Sequence, residues 1–277
     1  MTAATLSTAV ASAEPLLEVQ DAVVSYRIKG KGRFIAVQGV GLTVRPGEIL
    51  GIVGESGCGK SSLARALVGI NKLSSGSIRF LGNEVSPLPL KRRASQLIPL
   101  QMVFQDPYAS LNPRRRIVQQ LEEVWNAAAR ARGERGTAEA RLAEITDVLE
   151  RVGLDPTLRD RYPHALSGGQ RQRIAIAKAL LTRPRVIVAD EPISALDASS
   201  QKHVGSLLRK LVDDLQIGMV IISHDLAVVA TIADHTAVMR AGKFVEQGPT
   251  ERVWTAPESP YTLELLSAVP ELVGRAV

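Results

Sequence analysis

Residues 54–61 read Gly54-Glu55-Ser56-Gly57-Cys58-Gly59-Lys60-Ser61, and Ser62 continues the run. Glycine, four residues, then glycine, lysine and serine complete the G-x-x-x-x-G-K-[ST] pattern. Ile49 to Val53, just before it, reads as a strand, and from Lys60 to Ile70 the apolar period becomes helical. Strand, glycine-rich loop and helix in that order predict a phosphate cradle. The glycines let backbone N–H groups converge on phosphate oxygens, aided by the helix N-terminus. Lys60 is then expected to reach the β and γ oxygens, and Ser61 to ligate Mg²⁺.

Such a loop needs a second strand that ends in a carboxylate, and Val186-Ile187-Val188-Ala189-Asp190-Glu191 supplies one. Four apolar residues bury the strand, so Asp190 emerges at its C-terminal end, near the expected magnesium. Glu191 follows, beside the γ-phosphate. A carboxylate there polarises an attacking water, which makes Glu191 the expected general base. These residues alone imply a nucleotide hydrolase.

The rest of the chain fits an α/β frame around that loop. Apolar alternation from Leu17 to Val24, then at Val37, Val40, Leu42 and Val44, reads as antiparallel strands, with Pro46-Gly47 turning into the next strand. Between roughly Asp106 and Leu181 strand character is lost. Helical periods at Ile117 to Arg132 and Glu139 to Val152 predict an inserted helical lobe. Strand signals return at Val186 to Ala189 and Met219 to Ser223, each followed by a helical stretch, the alternation of a parallel sheet. No internal repeat occurs at solenoid or propeller periods.

Composition narrows the class. The 277 residues are 45% hydrophobic and 22% charged, ordinary values for a globular protein with a buried core. No apolar run approaches the roughly 18 residues needed to span a bilayer, so membrane attachment is expected only through partners. The first fifteen residues, rich in Ala, Ser and Thr, lack a basic start and a Leu-rich core and read as a disordered cytoplasmic tail. The single cysteine, Cys58, excludes an internal disulfide. A net charge of +6 suits a polyphosphate, nucleic acid or an acidic membrane equally. With four Phe and four Tyr and no aromatic interleaving, a base-stacking surface is not expected.

Leu166-Ser167-Gly168-Gly169-Gln170, followed by Arg171-Gln172-Arg173 and a helical run, resembles the signature of the ABC ATPase family. The resemblance implies a P-loop NTPase fold with a RecA-like core, an antiparallel β subdomain and an inserted α-helical subdomain at about 107–182. It also implies a site shared across a head-to-tail dimer, in which Ser167, Gly168, Gly169 and Gln170 of one subunit face the ATP held by the other. By the same resemblance Gln105 is the Q-loop residue sensing Mg²⁺ and water, Ser194-Ala195-Leu196-Asp197 is the D-loop, and His224 is the switch histidine. Adenine stacking falls to Tyr26 or to its rival Phe34, since Lys29 to Arg33 looks like a small insertion. Cys58 is either an alkylation-sensitive thiol or a small filler.

Further stretches are similar to the oligopeptide/dipeptide/nickel importer subfamily: Gln105-Asp106-Pro107-Tyr108-Ala109-Ser110-Leu111-Asn112-Pro113, Tyr162-Pro163-His164, Ser259-Pro260-Tyr261-Thr262 and Leu265 to Pro270. Many relatives carry cysteines in a C-terminal extension; the absence of any here argues against a metal cluster at that end. The implied organisation is an ATPase domain at 16–250 and a short extension at 251–277. Implied partners are a second ATPase subunit, identical or homologous, two transmembrane permease subunits and, indirectly, a substrate-binding protein. The chain would sit on the cytoplasmic face of the membrane. A carbon–phosphorus lyase-associated ATPase and an exporter ATPase remain open as alternatives.

Overall fold

The computed structural model describes residues 14–30, 32–88, 93–106, 110–194 and 198–267. Two long strands open the chain, β1 (Leu17–Ile28) and β2 (Gly32–Val44), paired antiparallel from Leu17 opposite Val44 to Ile28 opposite Gly32. Of the expected insertion at Lys29 to Arg33, Lys29 and Gly30 form a turn after β1, Gly32 and Arg33 open β2, and Lys31 lies outside the described residues. The turn at Pro46-Gly47 carries the chain out of that sheet into β3 (Ile49–Val53) of a second one, and α1 (Lys60–Leu67) follows the loop. Strands β4 (Ser75–Phe80) and β5 (Asn83–Glu84) return to the first sheet, whose order is β2-β1-β4-β5.

The second sheet continues with β6 (Leu100–Val103). Between it and β7 (Val186–Asp190) the described residues include the long helices α2 (Ile117–Arg132), α3 (Ala138–Arg151) and α4 (Gly168–Leu180). After β7 come α5 (Ala198–Leu215), β8 (Gly218–Ile222), α6 (Leu226–Ile232), β9 (His235–Arg240) and β10 (Lys243–Pro249). Two short helices, α7 (Thr250–Thr255) and α8 (Pro260–Ser267), follow. The sheet order is β10-β9-β3-β8-β7-β6, parallel throughout except for the β10 edge.

Every residue of β3, β7 and β8 is buried, as expected of parallel strands covered on both faces. The period of two divides them. Ile49, Ile187, Ala189, Met219 and Ile221 belong to one buried cluster with the helical residues Trp125, Leu149, Ile176 and Leu208. Leu50, Ile52, Val186, Val188, Val220 and Ile222 pack toward α1 and the antiparallel sheet, against Leu17, Leu63, Leu67 and Phe80. The helical layer is also tied by the Trp125 indole, which donates to Glu144 over 2.6 Å between α2 and α3.

The expected helices at 117–132 and 139–152 match α2 and α3 to within a residue. α1 ends three residues short of Ile70, just before Gly69, whose φ of 79° cannot continue a right-handed helix. Strands β4, β6, β9 and β10 were not anticipated from sequence. The expected tail lies almost wholly in residues 1–13, outside the described residues, as do Tyr108, Ala195 to Asp197 and Ala268 to Pro270. Among the described residues no helix is long and apolar enough to cross a membrane.

Candidate active site

The glycine-rich loop starts where central strand β3 runs out of the sheet. Gly54 (φ 150°), Gly57 (φ 80°) and Gly59 (φ 115°) hold backbone angles that side-chain-bearing residues rarely adopt. Space is also closed. A Cβ on Gly54 would collide with the carbonyl oxygen of Met239, and one on Gly59 with that of Ala36. The loop is thus held between the end of β9 and strand β2, and the Gly242 N–H donates to the Cys58 carbonyl over 2.8 Å.

Lys60, at the first position of α1, is buried. Its ammonium donates to the carbonyls of Gly54 and Glu55 at 2.7 Å each and lies 3.7 Å from Cys58 Sγ. The lysine therefore folds back over its own loop and stands at the cradle's mouth. Next to it, Ser61 Oγ donates to Asp190 Oδ1 over 3.0 Å, joining the loop to the end of β7 across the intervening β8. Burial, foremost, pushes the Asp190 carboxyl above its ordinary range and Glu191 adds to this, while the Ser61 hydrogen bond, Arg65 and Lys60 pull the other way. A buried carboxylate short of compensating charge, beside a hydroxyl, is the hard-oxygen donor set that suits Mg²⁺. No cluster of three or more His, Cys, Asp or Glu able to hold a metal occurs among the described residues.

Glu191, Gln105 and His224, predicted from three distant segments, meet. Gln105 Nε2 donates to Glu191 Oε2 over 2.8 Å, and His224 Nδ1 lies 3.3 Å from the same oxygen. Glu191 sits at φ 48°, a left-handed conformation that costs a non-glycine residue about 1–3 kcal/mol. Its own N–H donates to Ile222 O over 2.8 Å, which locks the strained position onto β8. The carboxylate is held between a glutamine beyond β6 and a histidine beyond β8, at the carboxyl ends of the parallel strands.

Tyr26 and Phe34 stand directly opposite each other in the β1–β2 register, so both rings share one face. The Tyr26 hydroxyl donates to Ser62 Oγ over 3.0 Å and accepts from Asn71 Nδ2 over 2.8 Å, linking that face to the loop's helix. Asn71, Met239 and Gly242 had no signal in the sequence, because only the fold brings them to the loop.

Ser167 caps α4. Its Oγ accepts from the Gln170 N–H over 3.2 Å while Gln170 Oε1 accepts from the Ser167 N–H over 2.9 Å, a reciprocal capping box. Gly168 and Gly169 form the first turn, so the helix tip offers small residues and a positive dipole end. Ser194 Oγ donates to Glu191 O over 3.1 Å, and Asp197 lies outside the described residues. A cavity of about 510 Å³ opens beside Gln105, walled by Phe104, Ser110, Val124 and Lys178.

The family model described as "ABC transporter" matches residues 37–194. The chain is 43% identical to the di/tripeptide transport ATP-binding protein DppF of Pseudomonas aeruginosa, over 94% of this chain and 80% of that protein. It is also 43% identical to the oligopeptide transport ATP-binding protein OppF of Escherichia coli, over 92% and 78% of the two chains. Among solved structures it superimposes on the dimeric, ADP- and Pi-bound cassette MJ0796 with a TM-score of 0.71 at 25% identity, covering 84% of this chain and 98% of that one. The structure of cbiO1 from Clostridium perfringens gives 0.73 at 27% identity, over 94% and 98%. The chain belongs to the ABC transporter family, as an ATP-hydrolysing cassette of its oligopeptide/dipeptide branch.

Proposed function

We propose that this cassette powers peptide import, and that its ATP is hydrolysed by the group built around Glu191. The observation that carries the reading is the meeting of Gln105 and His224 on one oxygen of Glu191, next to the Ser61–Asp190 pair. Amides of Gly54 to Ser62 bind the phosphates, and Lys60 exchanges its loop carbonyls for the β and γ oxygens. Mg²⁺, held by Ser61 and Asp190 with Gln105 beside them, would supply charge neutralisation on the phosphates. Glu191 accepts the proton of the attacking water as the new bond to the γ-phosphorus forms and the bond to ADP breaks. His224 and Gln105 hold Glu191 in the orientation this needs, and Tyr26, with Phe34 beside it, offers the ring for adenine.

A second cassette completes the site. The capped tip at Ser167, Gly168, Gly169 and Gln170 is a ready anion site, and in a head-to-tail pair it faces the γ-phosphate bound by the opposite loop. That the MJ0796 neighbour is dimeric supports pairing of two cassettes. The cavity beside Gln105 suits a helix from a permease, so that docking there and closure on ATP are joined through one residue. Two permease subunits would hold the chain at the cytoplasmic membrane face, and an external binding protein would select the peptide.

Affinity purification of the tagged full chain from membranes tests the transport reading. Multi-span permease subunits and peptide-stimulated ATPase in the recovered complex are expected; recovery with a soluble enzyme complex and no membrane protein would contradict it.

A further inference from the structure

Two short helices beyond the parallel sheet reach back to the nucleotide loop through one side chain. Pro260 opens α8 and sets Tyr261 at its second position. Tyr261 is 4% exposed and shares a buried cluster with Val53, Leu226, Val229, Val238 and Val253, which includes the last residue of β3. The Arg240 guanidinium lies over the Tyr261 ring at 4.5 Å, a cation–π contact from the end of β9. The hydroxyl accepts the Glu55 N–H at 3.3 Å. α8 is itself anchored, since the amides of Glu258 and Ser259 donate to the two carboxylate oxygens of Glu246 on β10 at 2.8 and 3.1 Å.

We propose that Tyr261 is a positioning residue for ATP binding, its hydroxyl fixing the Glu55 amide so that the phosphate loop leaves β3 in its ligand-ready path. Gly54, just before that amide, sits at φ 150°, a backbone angle that only glycine adopts readily. Without the tether its freedom returns, and the ligand has to remove it again on binding. Gly242 holds the loop from the other side at Cys58, so the tether and the β9–β10 turn bracket Glu55 to Cys58 between fixed points. The C-terminal helices are thereby part of the nucleotide site. The inference rests on the reading of Gly54 to Ser62 as the nucleotide cradle.

The test is steady-state ATPase kinetics and amide hydrogen exchange on the full chain carrying Tyr261→Phe, which keeps the ring and removes only the hydroxyl. Loss of one neutral hydrogen bond predicts a KM for MgATP raised about three- to tenfold with kcat within about twofold. Exchange should quicken in the peptide spanning Gly54 to Gly57 and stay unchanged in β7 and β8. Arg240→Gln, which frees the ring face and leaves Tyr261 in place, should raise KM in the same direction by less. An unchanged KM in both variants overturns the inference, and so does a KM rise with faster exchange across the whole sheet, the mark of general loosening. Lys60→Ala separates the two levels. If it abolishes MgATP binding while Tyr261→Phe changes nothing, the cradle stands and the tether falls. If it binds MgATP normally, the cradle reading itself fails.

Discussion

The side-chain amide of Gln105 and the carboxylate of Glu191 are joined by a 2.8 Å hydrogen bond across the ends of neighbouring strands β6 and β7. Gln105 lines the cavity proposed for a permease helix, and Glu191 is the proposed general base. Whatever presses on the wall of that cavity therefore acts one hydrogen bond from the chemistry.

Glu191→Gln keeps the shape of the side chain and removes its basicity. Turnover is expected to fall by about 10²-fold or more, in line with general-base contributions, with MgATP affinity close to wild type. Single-turnover hydrolysis alongside equilibrium nucleotide titration separates the two, and near-normal turnover would refute the assignment.

Gly59→Ala should disable the loop by backbone geometry. At φ 115° the added Cβ meets the Ala36 carbonyl, which belongs to a strand and cannot swing aside. A loss of about 2–4 kcal/mol of stability is expected together with loss of nucleotide-induced stabilisation. Thermal unfolding with and without MgATP measures both; a variant that still gains stability from MgATP would show that this glycine is dispensable.

His235 carries a pH dependence far from the nucleotide. Its Nδ1 lies 3.0 Å from Glu48 Oε1, and this partner, foremost, holds the imidazole above its ordinary range, with Asp234 adding and burial and Arg45 opposing. Because the folded value exceeds the unfolded one, the stabilisation is fully present below about 6.5 and is lost as pH rises through the folded pKa. Wild type should thus lose thermal stability relative to His235→Gln between about pH 6 and pH 8. Parallel pH profiles for the two proteins would show that the pair contributes nothing.

Strands β3, β7 and β8 were legible in the sequence because full burial makes them continuous apolar runs. Their neighbours were not. β6 is interrupted by Gln101, β9 begins with His235 and Thr236, and β10 alternates half-buried with exposed positions at the sheet edge. The helices at Ile117 and Ala138 were legible from their apolar period. The loop residues could be read because they are contiguous in the chain and match one phosphate-binding pattern. Glu191 was legible from its place at the end of an apolar strand, whereas Gln105 and His224 needed the family resemblance, since no local pattern relates a glutamine and a histidine 119 positions apart. Contacts made only by folding, such as Asn71 to Tyr26 or Tyr261 to Glu55 across 206 positions, left no trace in the sequence.

The central claim is that the Ser167 helix tip of one cassette completes the ATP held by another. Sedimentation velocity of the Glu191→Gln chain, alone or with a homologous cassette, tests it most directly. MgATP is expected to convert single chains to pairs, and Ser167→Arg in the same background should keep them single. Chains that stay single in MgATP, even with the homologous cassette and permease supplied, or that pair equally well with Ser167→Arg, would contradict the account.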